Sequence, residues 1–201
     1  MARTSERTTA GSLEPDADFV AAYYAHVAAE DLRSYSPETL RERAAHHLEI
    51  GSQRPPGEAA VGILNELDTS VVALVAEDLP YLVQSVTAEL TREDTPIRQL
   101  VHPAFLVHRD LCTHALLEIH PGHAREGLLP GTDASDGEIP EVWIGVEIGR
   151  LADDAAAREL TERLQDVVAD VRAAARDETA IHGKLSDAFA AAANAPPTAV
   201  P

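Results

Sequence analysis

Four histidines at six-residue intervals are the residues of this chain whose type and spacing could support chemistry. They surround the single cysteine, Cys112, and imidazole and thiolate side chains are ligands that zinc prefers in proteins. A positively charged neighbour could also make a thiol nucleophilic by lowering its pKa. The segment therefore raises two possibilities, metal binding and thiol chemistry. The four histidines are His102, His108, His114 and His120.

The spacing of these histidines argues against a single metal site. We predict two strands, 97–109 and 115–120, that pair across a turn at 110–113. If the numbers of paired residues sum to about 222, the histidines form two cross-strand pairs roughly 20 Å apart, at about 3.3 Å per residue. Two imidazoles without a carboxylate are a weak ligand set, so we expect no bound metal. The predicted pairs are His108 with His114 and His102 with His120.

Other reactive residues do not predict catalysis. Cys112 has only Arg109 close in sequence to lower the pKa of its thiol. Gly122 and Gly127 are not followed by the Lys and Ser or Thr of a phosphate-binding loop, and no G-x-G-x-x-G occurs. An enzyme that binds a metal through the histidines is kept only as a third alternative to the two functions given below.

The elements that must position these residues begin with a strand–helix–strand unit at 69–110. An apolar, β-branched run at 71–76 is followed by Asp78, which we predict as the N-cap of a helix with Pro80 in its first turn. Apolar residues then recur at helical spacing before the strand at 97–109. This order is typical of a small α+β domain.

Two helices and a strand are predicted ahead of this unit. Residues 15–51 are expected to form a helical hairpin. Its second helix begins with Ser36 as N-cap and Pro37 at the first helical position, and Gly51 ends it. A short strand at 60–67 follows.

A strand and a long helix are predicted after the histidines. Residues 141–149 alternate between apolar and polar side chains, which indicates a half-buried strand. Asp153 or Asp154 caps the final helix, whose apolar stripe includes Leu160 and Leu164.

Four segments result from this interpretation. Residues 1–14 are expected to be disordered, 15–51 to form the hairpin, 58–177 to form one α+β domain with a mobile loop at 121–140, and 178–201 to be a tail or linker. In the α+β domain both helices cover one face of an antiparallel sheet, because each amphipathic helix needs an apolar surface to bury.

Charge and composition exclude several partners. The chain has 34 acidic and 16 basic residues, a net charge of −18, which would repel nucleic acid and anionic membranes. It shows neither an apolar signal sequence nor a run long enough to span a bilayer. A single cysteine is compatible with a reducing compartment. We therefore expect a cytoplasmic protein without nucleic-acid or membrane partners.

The even-numbered residues of the predicted hairpin share the face that the helices leave uncovered. Two leucines lie among the histidines there, and Trp143 points the same way if the sheet is continuous. An apolar patch on an uncovered face predicts contact with another domain or a second subunit. The predicted interface residues are His102, Leu106, His108, His114, Leu116 and Trp143.

Four sequence blocks, at 23–40, 76–94, 101–110 and 142–153, carry a family likeness. Taken together and in this order, they resemble the N-terminal region of the large bacterial NAD-dependent glutamate dehydrogenases. The resemblance implies an ACT-like, ferredoxin-like fold, preceded by the helical hairpin. Such domains bind amino acids or mediate subunit contacts.

The resemblance also implies a ligand site. The segment Asp78-Leu79-Pro80 is similar to the D-x-P-G-L turn at which ACT domains hold small ligands against a helix N-terminus, whose N–H groups can bind a carboxylate. Tyr81 stands where Gly is usual, and its bulk opposes a close approach of ligand. The predicted ligand-binding residues are Glu77, Asp78, Leu79, Pro80, Tyr81 and Leu82.

The function implied is that of a non-catalytic N-terminal regulatory or oligomerisation domain. The full-length enzymes of this family convert glutamate to 2-oxoglutarate with NAD, and they use lysines to hold the substrate. Here Lys184 is the only lysine, so we expect no cofactor and no catalysis in this chain. The expected partners are a second copy or the remainder of a glutamate dehydrogenase, with an amino acid as possible effector. The alternative is a freestanding ACT-like amino-acid sensor that acts in trans.

Overall fold

A six-stranded sheet forms the centre of the structure, a computed structural model that describes residues 14–92, 95–120 and 138–193. The strands are β1 (Ala60–Asn65), β2 (Thr69–Glu77), β3 (Gln99–Val101), β4 (Ala104–Arg109), β5 (Leu116–His120) and β6 (Glu138–Gly149). The helices are α1 (Ala17–Tyr23), α2 (Ala29–Leu32), α3 (Pro37–Gly51), α4 (Leu82–Thr91) and α5 (Asp154–Ala193).

Every strand pairing is antiparallel, and the order is β1-β2-β6-β4-β5, with β3 also beside β6. β3 and β4 follow one another along the same edge of β6. The predicted continuous strand at 97–109 is therefore wrong, because the chain leaves the ladder at His102 and Pro103. The Pro103 carbonyl still accepts a hydrogen bond of 2.9 Å from the Trp143 N–H. The α+β fold with an antiparallel sheet, as in ACT and ferredoxin-like domains, is confirmed.

Helices cover both faces of this sheet. The prediction that the two later helices share one face is confirmed, since α4 and α5 pack on the same apolar surface of β2 and β6. The opposite surface of the sheet is covered by α1 and α3. The first core comprises Val72, Leu74, Ala76, Leu82, Val86, Leu90, Val142, Ile144, Val146, Ile148, Leu160, Leu164 and Val168. The second comprises Phe19, Tyr23, Tyr24, Ala44, Leu48, Val75, Val101, Phe105, Val107, Leu116 and Trp143.

The N-terminal segment contains three helices, since the predicted first helix is interrupted after Tyr23. Tyr24 is buried, and its hydroxyl donates to the Leu40 carbonyl at 3.0 Å, which ties the break to α3. The predicted start of α3 is confirmed: Ser36 Oγ accepts from the Thr39 N–H at 3.0 Å, and proline occupies the first turn.

Asp78 does not cap α4 as predicted. Its N–H donates to the Pro140 carbonyl at 3.1 Å, so the backbone continues alongside β6 beyond the end of β2. The residue that precedes α4 is Tyr81, in the left-handed conformation with φ of 65°, and no side chain caps the helix. A tyrosine is an unusual residue for this conformation, which favours glycine.

The final helix begins as predicted and runs further. Asp153 accepts from the Ala156 N–H at 2.9 Å, but α5 continues to Ala193, past the predicted limit near 177. Of the predicted loop at 121–140, residues 121–137 lie outside the described residues, and the last three begin β6. No helix in the described ranges is long and apolar enough to cross a lipid bilayer.

Gly145 lets the N-terminal helices approach the sheet. A Cβ atom at this position would lie 2.4 Å from the Tyr23 hydroxyl, whose ring is packed against His47 and Tyr24. We expect Gly145→Ala to lower the free energy of unfolding by about 1–3 kcal/mol, since the buried ring must shift. Urea denaturation measures this. Gly149→Ala, on the same strand with nothing within 4 Å, is the matched control; an equal loss there would contradict the steric explanation.

Candidate functional site

The histidines do not pair with one another as predicted. β4 and β5 are aligned so that Leu106 faces His120 and His108 faces Glu118, and a bulge follows His108. The predicted register is wrong because His114 belongs to the turn, with φ of 60°, and not to the strand. The turn is organised by Asp110, which accepts hydrogen bonds from the N–H groups of residues 112 and 113. These bonds lower the pKa of Asp110.

The observed register places carboxylates beside two histidines. His108 has Glu118 on one side and Glu138 on the other. The Nε2 atom of His120 lies 3.7 Å from a Glu118 oxygen and 4.0 Å from a Glu138 oxygen. Within the described residues, no three His, Cys, Asp or Glu side chains are grouped so that they could hold a metal ion. Cys112 is exposed and lies in the turn.

The predicted interface face is not one surface. Trp143 is fully buried under the N-terminal helices, on the face shared by Phe105, and Leu116 is buried with it. Placing these two residues with the exposed histidines is wrong, because β6 pairs with β4 so that Trp143 lies on the opposite face from Leu106. His102, Leu106, His108 and His114 remain exposed or half-buried.

Several residues of the predicted ligand turn make contacts within the fold. The Glu77 carboxylate pairs with Arg172 of α5 at 3.1 Å and accepts from the Gly57 N–H at 3.3 Å. Leu82 is buried in the core, whereas the Tyr81 ring is exposed. Leu79 packs on the same core as Leu82, and Asp78 and Pro80 complete the turn. The first turn of α4, which follows this turn, has no side-chain cap.

A buried ion cluster joins the N-terminal segment to β4 and β6. Glu141 is fully buried and pairs with Arg54 at 2.7 Å and Arg109 at 2.6 Å. Arg109 also donates to the Gly51 carbonyl at 2.9 Å, and the Trp143 indole N–H donates to Glu141 at 3.3 Å. The planar guanidinium suits such multiple contacts with a carboxylate and with carbonyl oxygens.

A second ion cluster is centred on Arg43 of α3. Its guanidinium is 2.6 Å from Glu66 and 2.8 Å from Glu147, and it donates to the Gln99 amide oxygen at 3.3 Å. Tyr35 donates to Glu147 at 2.5 Å and stacks under the guanidinium. The hydrogen bonds from Arg43 lower the pKa of Glu66. Glu66 therefore stays charged well below neutral pH.

The Arg43 cluster forms the floor of an open polar cleft of about 610 Å³. The start of α3, the β1–β2 turn and the end of β6 enclose it. Since β2 runs from Thr69 at the cleft to Glu77 at the predicted ligand turn, the two places are roughly 25 Å apart along the sheet. The charged residues of the cleft are Glu42, Arg43, Glu66, Asp68, Arg98 and Glu147.

The antiparallel sheet and its helices define an α+β domain with an ACT-like fold. The family model "Glutamate dehydrogenase, ACT1 domain" matches residues 19–164. The chain belongs to this family. The resemblance stated from the sequence blocks is thereby confirmed.

The relatives that this chain matches are much longer than the chain itself. It is similar to an NAD-specific glutamate dehydrogenase of Mycobacterium tuberculosis, with 31% identity over 145 residues, which is 70% of this chain and 8% of the relative. It is also similar to an NAD-specific glutamate dehydrogenase of Halomonas elongata, with 25% identity over 167 residues, 79% of this chain and 10% of the relative. No solved structure matches.

Sequence reasoning missed the two ion clusters. Glu141 and Glu147 lie on the same side of β6 as Trp143, a side that the alternation predicted to face solvent. One signal was available: fifteen of the sixteen basic residues are arginine, the residue that proteins prefer for buried carboxylate pairs.

Proposed function

We propose that this chain is a non-catalytic regulatory and oligomerisation domain of an NAD-dependent glutamate dehydrogenase. The family match carries the proposal. The longer relatives are NAD-specific glutamate dehydrogenases, and the oxidation of glutamate with NAD would reside in a separate part of such an enzyme. The chain itself would bind no NAD, and an amino acid would be its effector.

The ion pairs that the buried carboxylates form with arginines support a non-catalytic role. Glu141, Glu147 and their arginine partners hold the N-terminal helices on the sheet. A catalytic acid or base must instead reach the substrate. The predicted effector turn, residues 77–82, keeps an uncapped helix start that could receive a carboxylate.

Exposed apolar side chains support self-association. Ile181 and Leu185 of α5 are 56% and 51% exposed and are one helical turn apart, so they form a stripe on one helix face. In the proposed oligomer this stripe would pack against the same stripe of a second copy.

Analytical ultracentrifugation and a dehydrogenase assay test the proposal together. We expect the purified chain to form a dimer or larger oligomer and to produce no NADH from glutamate and NAD. Ile181→Asp with Leu185→Asp should shift it to monomer, because burial of a charge at the contact is costly. Leu111→Asp, at an exposed leucine of the β4–β5 turn, is the control and should not. A monomeric wild type, or NADH production, would refute the corresponding half of the proposal.

A further inference from the structure

We propose that a small polar cavity beside Arg43 binds one water molecule, which joins Gln99 of β3 to Glu147 of β6. Gln99 and Glu147 are directly opposite each other in the antiparallel β3–β6 pair, so their side chains lie on the same face of the sheet. The cavity lies between the sheet and the N-terminal segment, whose Tyr24 and Arg43 also border it. The inference does not depend on the proposed function, because it concerns neither self-association nor an effector.

The side-chain amide of Gln99 supplies a buried donor to this cavity. Gln99 is 9% exposed, and its Oε1 atom accepts from Arg43 Nη1 at 3.3 Å. This bond fixes the orientation of the amide, because a guanidinium only donates and a rotated amide would present a second donor to it. The Nε2 atom has no hydrogen-bond partner among the described residues. A buried donor without a partner is costly, so an acceptor at this atom is favoured.

Acceptors for the hydrogens of the water border the same cavity. The Oε2 atom of Glu147 accepts from Tyr35 at 2.5 Å and from Arg43 at 2.8 Å, whereas its Oε1 atom accepts from no described residue. The Tyr24 hydroxyl donates to a backbone carbonyl at 3.0 Å, so its oxygen can still accept. Gln99, Glu147 and Tyr24 thus offer one donor and two acceptors, which is the typical number of partners of a buried water.

Size and charge select water over other small ligands. The cavity has a volume of about 10 Å³, and one buried water needs roughly 10–15 Å³. A cation does not suit the site, because Gln99 offers it a donor and Arg43 is already positive. An anion is repelled by the Glu147 carboxylate. The ligand must therefore be neutral, of the size of a water molecule, and able both to accept and to donate hydrogen bonds.

A high-resolution crystal structure and water–amide cross-relaxation by NMR, both on the purified chain, test the proposal. We expect electron density for a water roughly 2.7–3.2 Å from Gln99 Nε2 and from an oxygen of Glu147. In solution the side-chain NH2 group of Gln99 should show a cross peak to a long-lived water. The proposal requires both observations. A crystal structure in which a protein group accepts from Nε2, or a spectrum without the cross peak, would overturn it.

Gln99→Leu tests whether the amide holds the water. Leucine has a similar size but no donor, so the density beside Glu147 should be lost in the crystal structure of this variant. Gln165→Leu, the same change at an exposed position of α5, is the matched control and should retain it. Density that persists in Gln99→Leu would show that the amide does not bind the water. If Gln99→Leu does not fold, the two observations on the unmodified chain still decide the proposal.

Discussion

Replacing Glu141 with Gln is expected to lower the free energy of unfolding by about 3–5 kcal/mol, a larger loss than that expected for Gly145→Ala. The two guanidinium groups of Arg54 and Arg109 would be left in the core without a counter-charge, and breaking a buried pair in this way costs about that amount. Thermal unfolding followed by circular dichroism should show a midpoint lower by roughly 10 °C, at about 2–4 °C per kcal/mol for a chain of this size.

Two further variants make the interpretation of this loss specific. Arg54→Met leaves one arginine facing one carboxylate, so we expect it to cost less than Glu141→Gln despite the lost donation from Arg54 to the Glu58 carbonyl at 3.1 Å. Glu162→Gln removes an exposed carboxylate of α5 and should leave the midpoint unchanged. A smaller loss for Glu141→Gln than for Arg54→Met would show that the cluster is not held by its central charge.

Most helices and strands could be predicted because their signals, such as helix caps and apolar stripes, depend on a few neighbouring residues. Ser36 followed by Pro37 gave the start of α3, and the apolar stripe of α5 gave the face that packs on the sheet. The left-handed conformation of Tyr81 was not predicted. It arises from the path of the chain between β2 and α4 and not from a preference of tyrosine.

The site was harder to predict because it depends on contacts between distant segments. The buried pair of Arg43 and Glu147 joins residues more than a hundred positions apart, and no local pattern encodes it. The register of β4 and β5 failed for a different reason: the turn between them extends to His114, so that His108 faces Glu118 and not His114. The alternation in β6 predicted one buried face, but the N-terminal helices cover Trp143, so both faces of this strand are buried.

His47 of α3 is expected to make the protein acid-sensitive. It is buried, and its Nε2 lies 3.1 Å from the Leu74 carbonyl oxygen. Because a carbonyl only accepts, Nε2 carries the hydrogen and Nδ1 accepts from the Tyr23 hydroxyl at 2.8 Å. Burial, with a smaller contribution from charge on His46, lowers the pKa of His47 from 6.5 to about 3. The folded state thus requires the neutral imidazole.

The sign of the pH dependence follows from this lowered pKa. Below about pH 6.5 the unfolded chain binds a proton at residue 47 that the folded chain refuses until the pH approaches 3, so stability falls with pH in this window and is restored above it. The loss is about 1.4 kcal/mol per pH unit, or roughly 3 kcal/mol at about pH 4.5.

Urea denaturation of wild type and His47→Gln at about pH 7 and about pH 4.5 measures this contribution. At the higher pH the variant should be less stable by about 1–3 kcal/mol, because the hydrogen bonds of the imidazole are lost. At the lower pH the difference should vanish or change sign, since glutamine does not titrate. His182→Gln, at an exposed histidine of α5, should match the wild type at both pH values. If the His47→Gln difference were the same at both, the buried imidazole would not be the acid-sensitive group.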